Sequence, residues 1–193
     1  AEVWNQDSAK TVKEALVDKI AVIGENLTIR RFEKVVTEGS VVTYLHGGGR
    51  IGVIVEGNLK ETDAVKEALT NVAMQVAALN PQYVSESDVS EEYKAHEKEI
   101  LMAQIEQDPK MAGKPEKVIE GIVTGRLNKE LKEVCLLEQV YVKAEDGKQT
   151  VAKYLESVDK DLSVVKFVRF ETGEGIEKKQ EDFAAEVAAQ MGN

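Results

Sequence analysis

The chain has 193 residues, of which 42% are hydrophobic, and it carries a formal net charge of −10 at pH 7. This hydrophobic content is enough for a folded core and excludes an intrinsically disordered protein, and the acidic charge argues against nucleic acid or an anionic membrane as a direct partner. The single cysteine, Cys135, excludes an internal disulfide framework and favours the cytoplasm, and no apolar run reaches the roughly 18 residues of a membrane span.

The first predicted element is a helix. Asp7 or Ser8 can cap it, and Thr11 with Glu14 fits a capping box, in which two side chains satisfy the first free N–H groups of a helix. Gly24 is predicted to end the helix, because glycine readily adopts the left-handed conformation that closes a last turn.

Three strands are predicted to follow. Residues 27–36 alternate in the manner of a strand with one solvated face. Residues 41–46 and 50–56 are two further strands, joined by three consecutive glycines at positions 47–49. Glycines supply the positive φ angles that a tight hairpin needs, so this run predicts a turn and not a phosphate-binding loop, which would have to enter a helix.

The middle of the chain is predicted to be helical. Thr62 or Asp63 caps a helix that must stop by Asn80, since Pro81 disfavours helical geometry in the residue before it. Residues 86–134 then contain two charged helices with narrow apolar stripes and a short Pro/Gly connector. This pattern predicts an antiparallel helical hairpin, a coiled coil that protrudes from the body.

The last third of the chain mixes strands and helices. The predicted elements are a short strand (139–143), a turn (146–147), a short helix (150–156), a strand (162–170) and a final helix (176–191). Consecutive strands with helices around them, without regular βαβ alternation, predict an α+β fold in which a small antiparallel sheet packs with helices.

Residues with catalytic potential are few. His46 and His96 are the only histidines, and no Cys/His cluster has the spacing of a metal site. His96 is expected at the surface, whereas the residue type of His46 leaves open a structural role at the strand end and a contact with a partner. Cys135 lies in an apolar run and is expected to be a buried structural thiol. We therefore expect a binding protein without cofactor or metal, and not an enzyme.

Four separated blocks of sequence resemble bacterial elongation factor Ts. They are IGENLTIRRF, YLHGGGRIGVIVEG, MQVAALNPQYVSESDVS and FVRFETGEGIEKKQEDFAAEVAAQM, at residues 23–32, 44–57, 74–90 and 167–191. The predicted helical hairpin lies where that family has its protruding coiled coil. The blocks keep the order of the family and together extend over most of the chain.

The resemblance implies a guanine-nucleotide exchange factor that binds elongation factor Tu carrying GDP and promotes release of the nucleotide. Family members begin with a small helical domain and a subdomain with a TDFV motif, and the sequence contains neither. The chain is therefore expected to be the C-terminal portion of such a factor. Residues 1–26 would be a helix left from the preceding subdomain, and residues 27–193 the C-terminal, dimerisation-type domain.

The resemblance also implies which residues contact elongation factor Tu. The family places a histidine of the hairpin, a valine with its neighbour on a later segment, and the C-terminal helix at that surface. The matching positions and their neighbours are Tyr44, His46, Tyr141, Val142, Lys143, Phe183, Val187 and Met191. The alternative is a non-catalytic interaction or dimerisation module that uses the helical hairpin as its contact surface. A homodimer would be one form of such a module.

Overall fold

A computed structural model describes residues 3–4, 7–111 and 113–175. In the described part, the helices and strands follow an α+β order, as the sequence predicts. The chain divides into two compact units, Ala1–Val36 and Thr37–Asn193. Among the helices of the described residues, none combines the length and apolar character needed to cross a bilayer.

The first unit contains a two-stranded antiparallel sheet and one helix. Strand β1 (Val3–Trp4) pairs with β2 (Asp7–Thr11), and helix α1 (Val12–Ile23) follows directly. Thr11 is the N-cap of α1 and forms the predicted capping box with Glu14, and Gly24 ends the helix with φ 78°. The prediction that Asp7 or Ser8 caps this helix is wrong, because both residues lie in β2.

The strand predicted at residues 27–36 is also wrong, since this segment has no regular secondary structure. Its alternating residues fit a strand, but a strand is stable only when a neighbouring strand pairs with its backbone N–H and C=O groups. Among the described residues, the segment joins neither of the two sheets. Its larger side chains remain exposed, as shown by Ile29 at 55% and Phe32 at 84%.

The second unit is built on a three-stranded antiparallel sheet of order β3-β4-β5. Strands β3 (Ser40–His46) and β4 (Ile51–Gly57) form a hairpin whose register ends with His46 opposite Ile51. The turn between them has positive φ at all three glycines, 59°, 67° and 92°, which confirms the predicted hairpin. Strand β5 (Val164–Glu171) pairs with the other side of β4.

Helix α2 (Asp63–Leu79) packs on one face of this sheet. Its two ends are as predicted: the Thr62 side chain accepts from the Val65 N–H, and Asn80 closes the last turn with φ 48°. The buried face of α2 is made of mainly apolar residues, namely Val65, Ala68, Leu69, Val72, Ala73, Gln75, Val76 and Ala77. They join the sheet residues in the main core.

Close packing of α2 on the sheet depends on one glycine. A Cβ atom added to Gly57 would lie 2.6 Å from Leu69 Cδ1, closer than the atoms can approach. The missing side chain at Gly57 therefore provides the space in which the fully buried Leu69 lies.

Helices α3 (Glu91–Glu106) and α4 (Glu116–Val134) pack against each other. Leu101, Ile105 and Val123 form a buried cluster between them. A backbone hydrogen bond joins the chain before α3 to the chain after α4. In it, the Leu136 N–H donates to the Tyr83 carbonyl at 2.9 Å. Two helices thus pack together within residues 86–134. The antiparallel hairpin that protrudes from the body as a coiled coil stays a prediction.

The carboxyl groups of Glu97 and Glu130 lie close together between α3 and α4. The Tyr93 hydroxyl donates to Glu130 Oε1 at 3.2 Å. Burial raises the pKa of Glu130, and the nearby negative charge of Glu97 raises it further. Burial and the charge of Glu130 also raise the pKa of Tyr93 to about 12. The Glu130 carboxyl is therefore held in a place that disfavours its charged form.

Glu130→Gln should stabilise the protein at neutral pH, because it removes the repulsion from Glu97 and keeps an oxygen that accepts from Tyr93. We expect a gain of about 0.5 kcal/mol, the size of a like-charge contact between helical neighbours, which corresponds to about 1–2 °C in Tm. Thermal unfolding followed by circular dichroism at several pH values measures it. Glu120→Gln, on the exposed side of α4, is the matched control and should change Tm little.

The stability that Glu130→Gln adds should depend on pH in a defined direction. A carboxyl whose pKa is raised on folding contributes stability that is present below the unfolded pKa, about 4.3 for Glu, and lost as pH rises through the higher folded value. The advantage of Glu130→Gln over the unmodified chain should therefore be largest at pH 7 and shrink toward about pH 4. A gain that is constant over this range would show that charge on Glu130 is not its cause.

The remaining described elements are short. Helix α5 (Val151–Val158) has Thr150 as its N-cap, and a turn is present at Asp146 and Gly147. The helix and the turn are both as predicted. The strand predicted at residues 139–143 is wrong, because only one isolated bridge, between Val140 and Thr150, occurs there. The helix predicted at residues 176–191 lies outside the described residues.

Candidate functional site

The first candidate contact surface is the end of β3. Every second residue of β3 lies on the face that packs on α2, and the last two of these are the half-buried Tyr44 and the exposed His46. The Tyr44 hydroxyl and His46 Nδ1 share one hydrogen bond of 3.1 Å. When the hydroxyl donates, the imidazole carries its proton on Nε2, which can then donate to an acceptor on a partner.

An ion pair on β5 continues the same face of the sheet. The pairing register places Tyr44, Val53 and Arg169 in one row. Arg169 Nη2 lies 2.8 Å from Glu171 Oε2, and it also donates to the Ala77 carbonyl at 3.5 Å near the end of α2. A cation suits this place, because the last carbonyls of a helix carry partial negative charge. This pair was not predicted from the sequence, although alternation along β5 puts both residues on the core face.

The second candidate contact surface is the segment of residues 139–143. Two side chains of α2, Asn71 and Gln75, bind it. It is also joined to residues 149–151 through the backbone, since the Tyr141 N–H donates to the Gln149 carbonyl at 2.8 Å and the Val151 N–H donates to the Gln139 carbonyl at 3.0 Å. Gln75 Nε2 donates to the Val140 carbonyl at 3.0 Å and to Gln139 Oε1 at 3.1 Å, while Gln75 Oε1 accepts from the Val142 N–H at 2.8 Å. The backbone pairing of this segment is limited to the one bridge between Val140 and Thr150, and a side-chain amide of α2 binds the Val140 carbonyl and the Val142 N–H.

Three residues of this segment were predicted to contact a partner, and they differ in exposure. Val142 is 49% exposed, whereas Tyr141 is only 6% exposed and stacks on Tyr154 with ring centroids 4.0 Å apart. Burial raises the pKa of Tyr141, and its hydrogen bond with Tyr154 adds to this. Lys143 Nζ donates to Asn71 Oδ1 at 2.7 Å. Val142 and Lys143 are therefore the side chains of the three that are exposed to a partner, and the Lys143 ammonium already binds Asn71.

Both candidate surfaces depend on the second half of α2. Asn71 and Gln75, one turn apart on the helix, bind the segment that carries Val142, and the Ala77 carbonyl accepts from Arg169 in the sheet row of Tyr44. Asn71 and Gln75 were not predicted from the sequence to belong to the site. The available signal was Gln75 itself, a polar residue inside the apolar stripe of a helix.

Metal-binding and thiol chemistry can be assessed in the described residues. The described part of the chain has no group of three or more His, Cys, Asp or Glu side chains that could hold a metal ion. Cys135 is fully buried, and burial raises the pKa of its thiol, which keeps it protonated and unreactive. The remaining predicted contacts, Phe183, Val187 and Met191, lie outside the described residues.

Comparison with known proteins gives consistent matches. Residues 1–174 match the model of the family described as Elongation factor TS. The chain is 54% identical over 184 residues to Elongation factor Ts of Clostridioides difficile (strain 630), an alignment that covers 94% of this chain and 59% of that protein. It is 50% identical over 191 residues to Elongation factor Ts of Clostridium novyi (strain NT), with 96% and 60% covered. The chain thus spans about three fifths of the length of these curated relatives.

Proposed function

The chain belongs to the elongation factor Ts family, and we propose that it binds elongation factor Tu as part of guanine-nucleotide exchange during translation elongation. The contact surface of this proposal comprises the end of β3, with His46, and the segment that carries Val142. Phe183, Val187 and Met191 of the C-terminal region extend it. The cytoplasm, where translation takes place, is the proposed location.

One observation supports the proposal most strongly. The two described segments that the family resemblance marks for contact with Tu are far apart in the sequence, yet helix α2 contacts both. Each presents a side chain that a partner can reach, the exposed His46 and the half-exposed Val142. Packing and hydrogen bonds that hold both segments against one helix favour docking, since less loop entropy is then lost on binding.

The mechanism that we propose is thermodynamic linkage. A factor that binds nucleotide-free Tu more tightly than the GDP complex must weaken GDP binding by the same factor. This requires no proton transfer or covalent step, so the protein acts by binding and not as an enzyme in the usual sense. The residues described above provide the docking part of this scheme.

Exchange by these 193 residues alone should be weak, because their sequence contains no TDFV motif. We expect release of fluorescent GDP from Tu to be accelerated by less than about twofold, which corresponds to a lowering of the activation free energy of release by less than about 0.4 kcal/mol. A stopped-flow measurement of GDP release tests this, with Elongation factor Ts of Clostridioides difficile as the positive control. Release as fast as with that control would contradict the expectation.

The alternative function, an interaction or dimerisation module, rests on the paired helices α3 and α4. These helices expose two apolar side chains, Ile100 at 37% and Val118 at 45%. If the helices form a contact between copies of this chain, sedimentation analysis should show a dimer that Ile100→Ser with Val118→Ser dissociates. A monomer at all accessible concentrations would contradict this alternative.

A further inference from the structure

Gln75 is a buried polar residue in an otherwise apolar face of α2. Its side chain is fully buried, and its amide makes three hydrogen bonds, two to residues Val140 and Val142 of the candidate contact segment and one to the Gln139 side chain. We propose that Gln75 is a positioning residue, which sets the conformation of this segment and thereby the place of the Val142 side chain at the docking surface. The inference rests on the proposed binding of elongation factor Tu.

Gln75 supplies the contacts that tie this segment's backbone to α2. The Val142 N–H and the Val140 carbonyl bind opposite ends of the same amide, at 2.8 Å and 3.0 Å. The segment is also joined to residues 149–151, since the Tyr141 N–H donates to the Gln149 carbonyl at 2.8 Å and the Val151 N–H donates to the Gln139 carbonyl at 3.0 Å. These backbone bonds leave the Val142 N–H to Gln75, and a partly buried N–H that loses its partner is costly.

The support continues to helix α4 through a second buried amide. Gln139, 4% exposed, accepts from Gln75 through Oε1 and donates through Nε2 to the Glu133 carbonyl at 2.7 Å, in the last turn of α4. The Gln75 amide is therefore itself held in orientation by a neighbour. The pair of glutamines thus fixes the segment between α2 and the end of α4.

Any test of this role must separate a loss of position from a loss of stability. Gln75→Met keeps the size of the side chain but leaves the Val140 carbonyl, the Val142 N–H and the Gln139 side chain without the amide that binds them, so it also lowers stability. A control substitution in the same helix face that lowers stability but leaves the amide in place therefore separates the two effects.

The first test is hydrogen exchange in the free chain. Gln75→Met removes the acceptor of the Val142 N–H, and exchange of this amide should accelerate about tenfold or more, the effect of losing one hydrogen bond. The matched control is Val72→Ala, which damages the same buried helix face but leaves the amide of Gln75. In this control the Val142 amide should remain protected relative to the other amides of the second unit.

The second test is a double-mutant cycle on binding of nucleotide-free elongation factor Tu. Gln75→Met should weaken binding about fivefold, and adding it to Val142→Ala should cost less than about twofold more, because both changes act through the same side chain. Combined with His46→Ala, the two losses should multiply. Binding is measured by calorimetry well below the unfolding temperature, so that every variant is folded.

The outcomes separate the inference from the proposed function. Unchanged exchange of the Val142 amide in Gln75→Met, or losses that multiply in the cycle with Val142→Ala, would overturn the positioning role. If Val142→Ala itself left Tu binding intact, the proposed docking surface would fail, and with it the functional part of the inference. Exchange in the free chain would still decide whether Gln75 holds the segment.

Discussion

Leu69→Ala should lower the free energy of unfolding of the second unit by about 3–4 kcal/mol, within the range observed for buried leucines. Leu69 is fully buried between α2 and the sheet, where it faces Gly57. The cavity left by truncation cannot be filled from the sheet side, because Gly57 has no side chain to move into it. The expected fall in Tm is about 10 °C.

Chemical denaturation of the variant and of a matched control measures this loss. The control is Leu79→Ala, the same substitution in the same helix at a side chain that is 48% exposed, and it should cost less than about 1 kcal/mol. Equal losses in the two variants would contradict the packing of α2 on the sheet through Leu69.

Alanine at both His46 and Val142 should weaken binding of nucleotide-free elongation factor Tu about 30-fold, or about 2 kcal/mol. The two side chains lie on separate segments, so their losses should add in free energy. His46 is exposed and Val142 is 49% exposed. The stability of the free chain should therefore change by less than about 1 kcal/mol.

Matched controls for this pair exist in the same chain. His96 is the other histidine and lies exposed on α3, and Val165 is 53% exposed on β5. Alanine at both of these positions removes the same two side-chain types away from the proposed surface and should leave binding unchanged. If the control pair weakened binding as much as His46 and Val142 do, the surface would be assigned to the wrong residues.

Local signals in the sequence predicted the element ends well. Thr62 and Asn80 before Pro81 bound α2, and three glycines turn the β3-β4 hairpin, because each of these effects acts within a few residues. The α+β class followed from the order of such elements. His46 could be placed at a hairpin end from the sequence for the same reason.

Two predictions that depended on distant partners failed, whereas the strand predicted at residues 162–170 is present as β5 and pairs with β4. Residues 27–36 and 139–143 have strand-like sequences, but alternation along a segment does not reveal whether another strand pairs with it. In the second case the Val142 N–H binds a side chain, that of Gln75, which lies on α2 far away in the sequence. Its exposed neighbour Val142 was identified through the family resemblance, not through residue chemistry.

The claim that this chain docks on elongation factor Tu through the surface of His46 and Val142 is tested most directly by calorimetric titration of nucleotide-free Tu. We expect saturable one-to-one binding by the unmodified chain, and binding about 30-fold weaker when both residues are alanine. The absence of saturable binding up to about 100 μM of chain, or equal affinity of the two chains, would contradict the account.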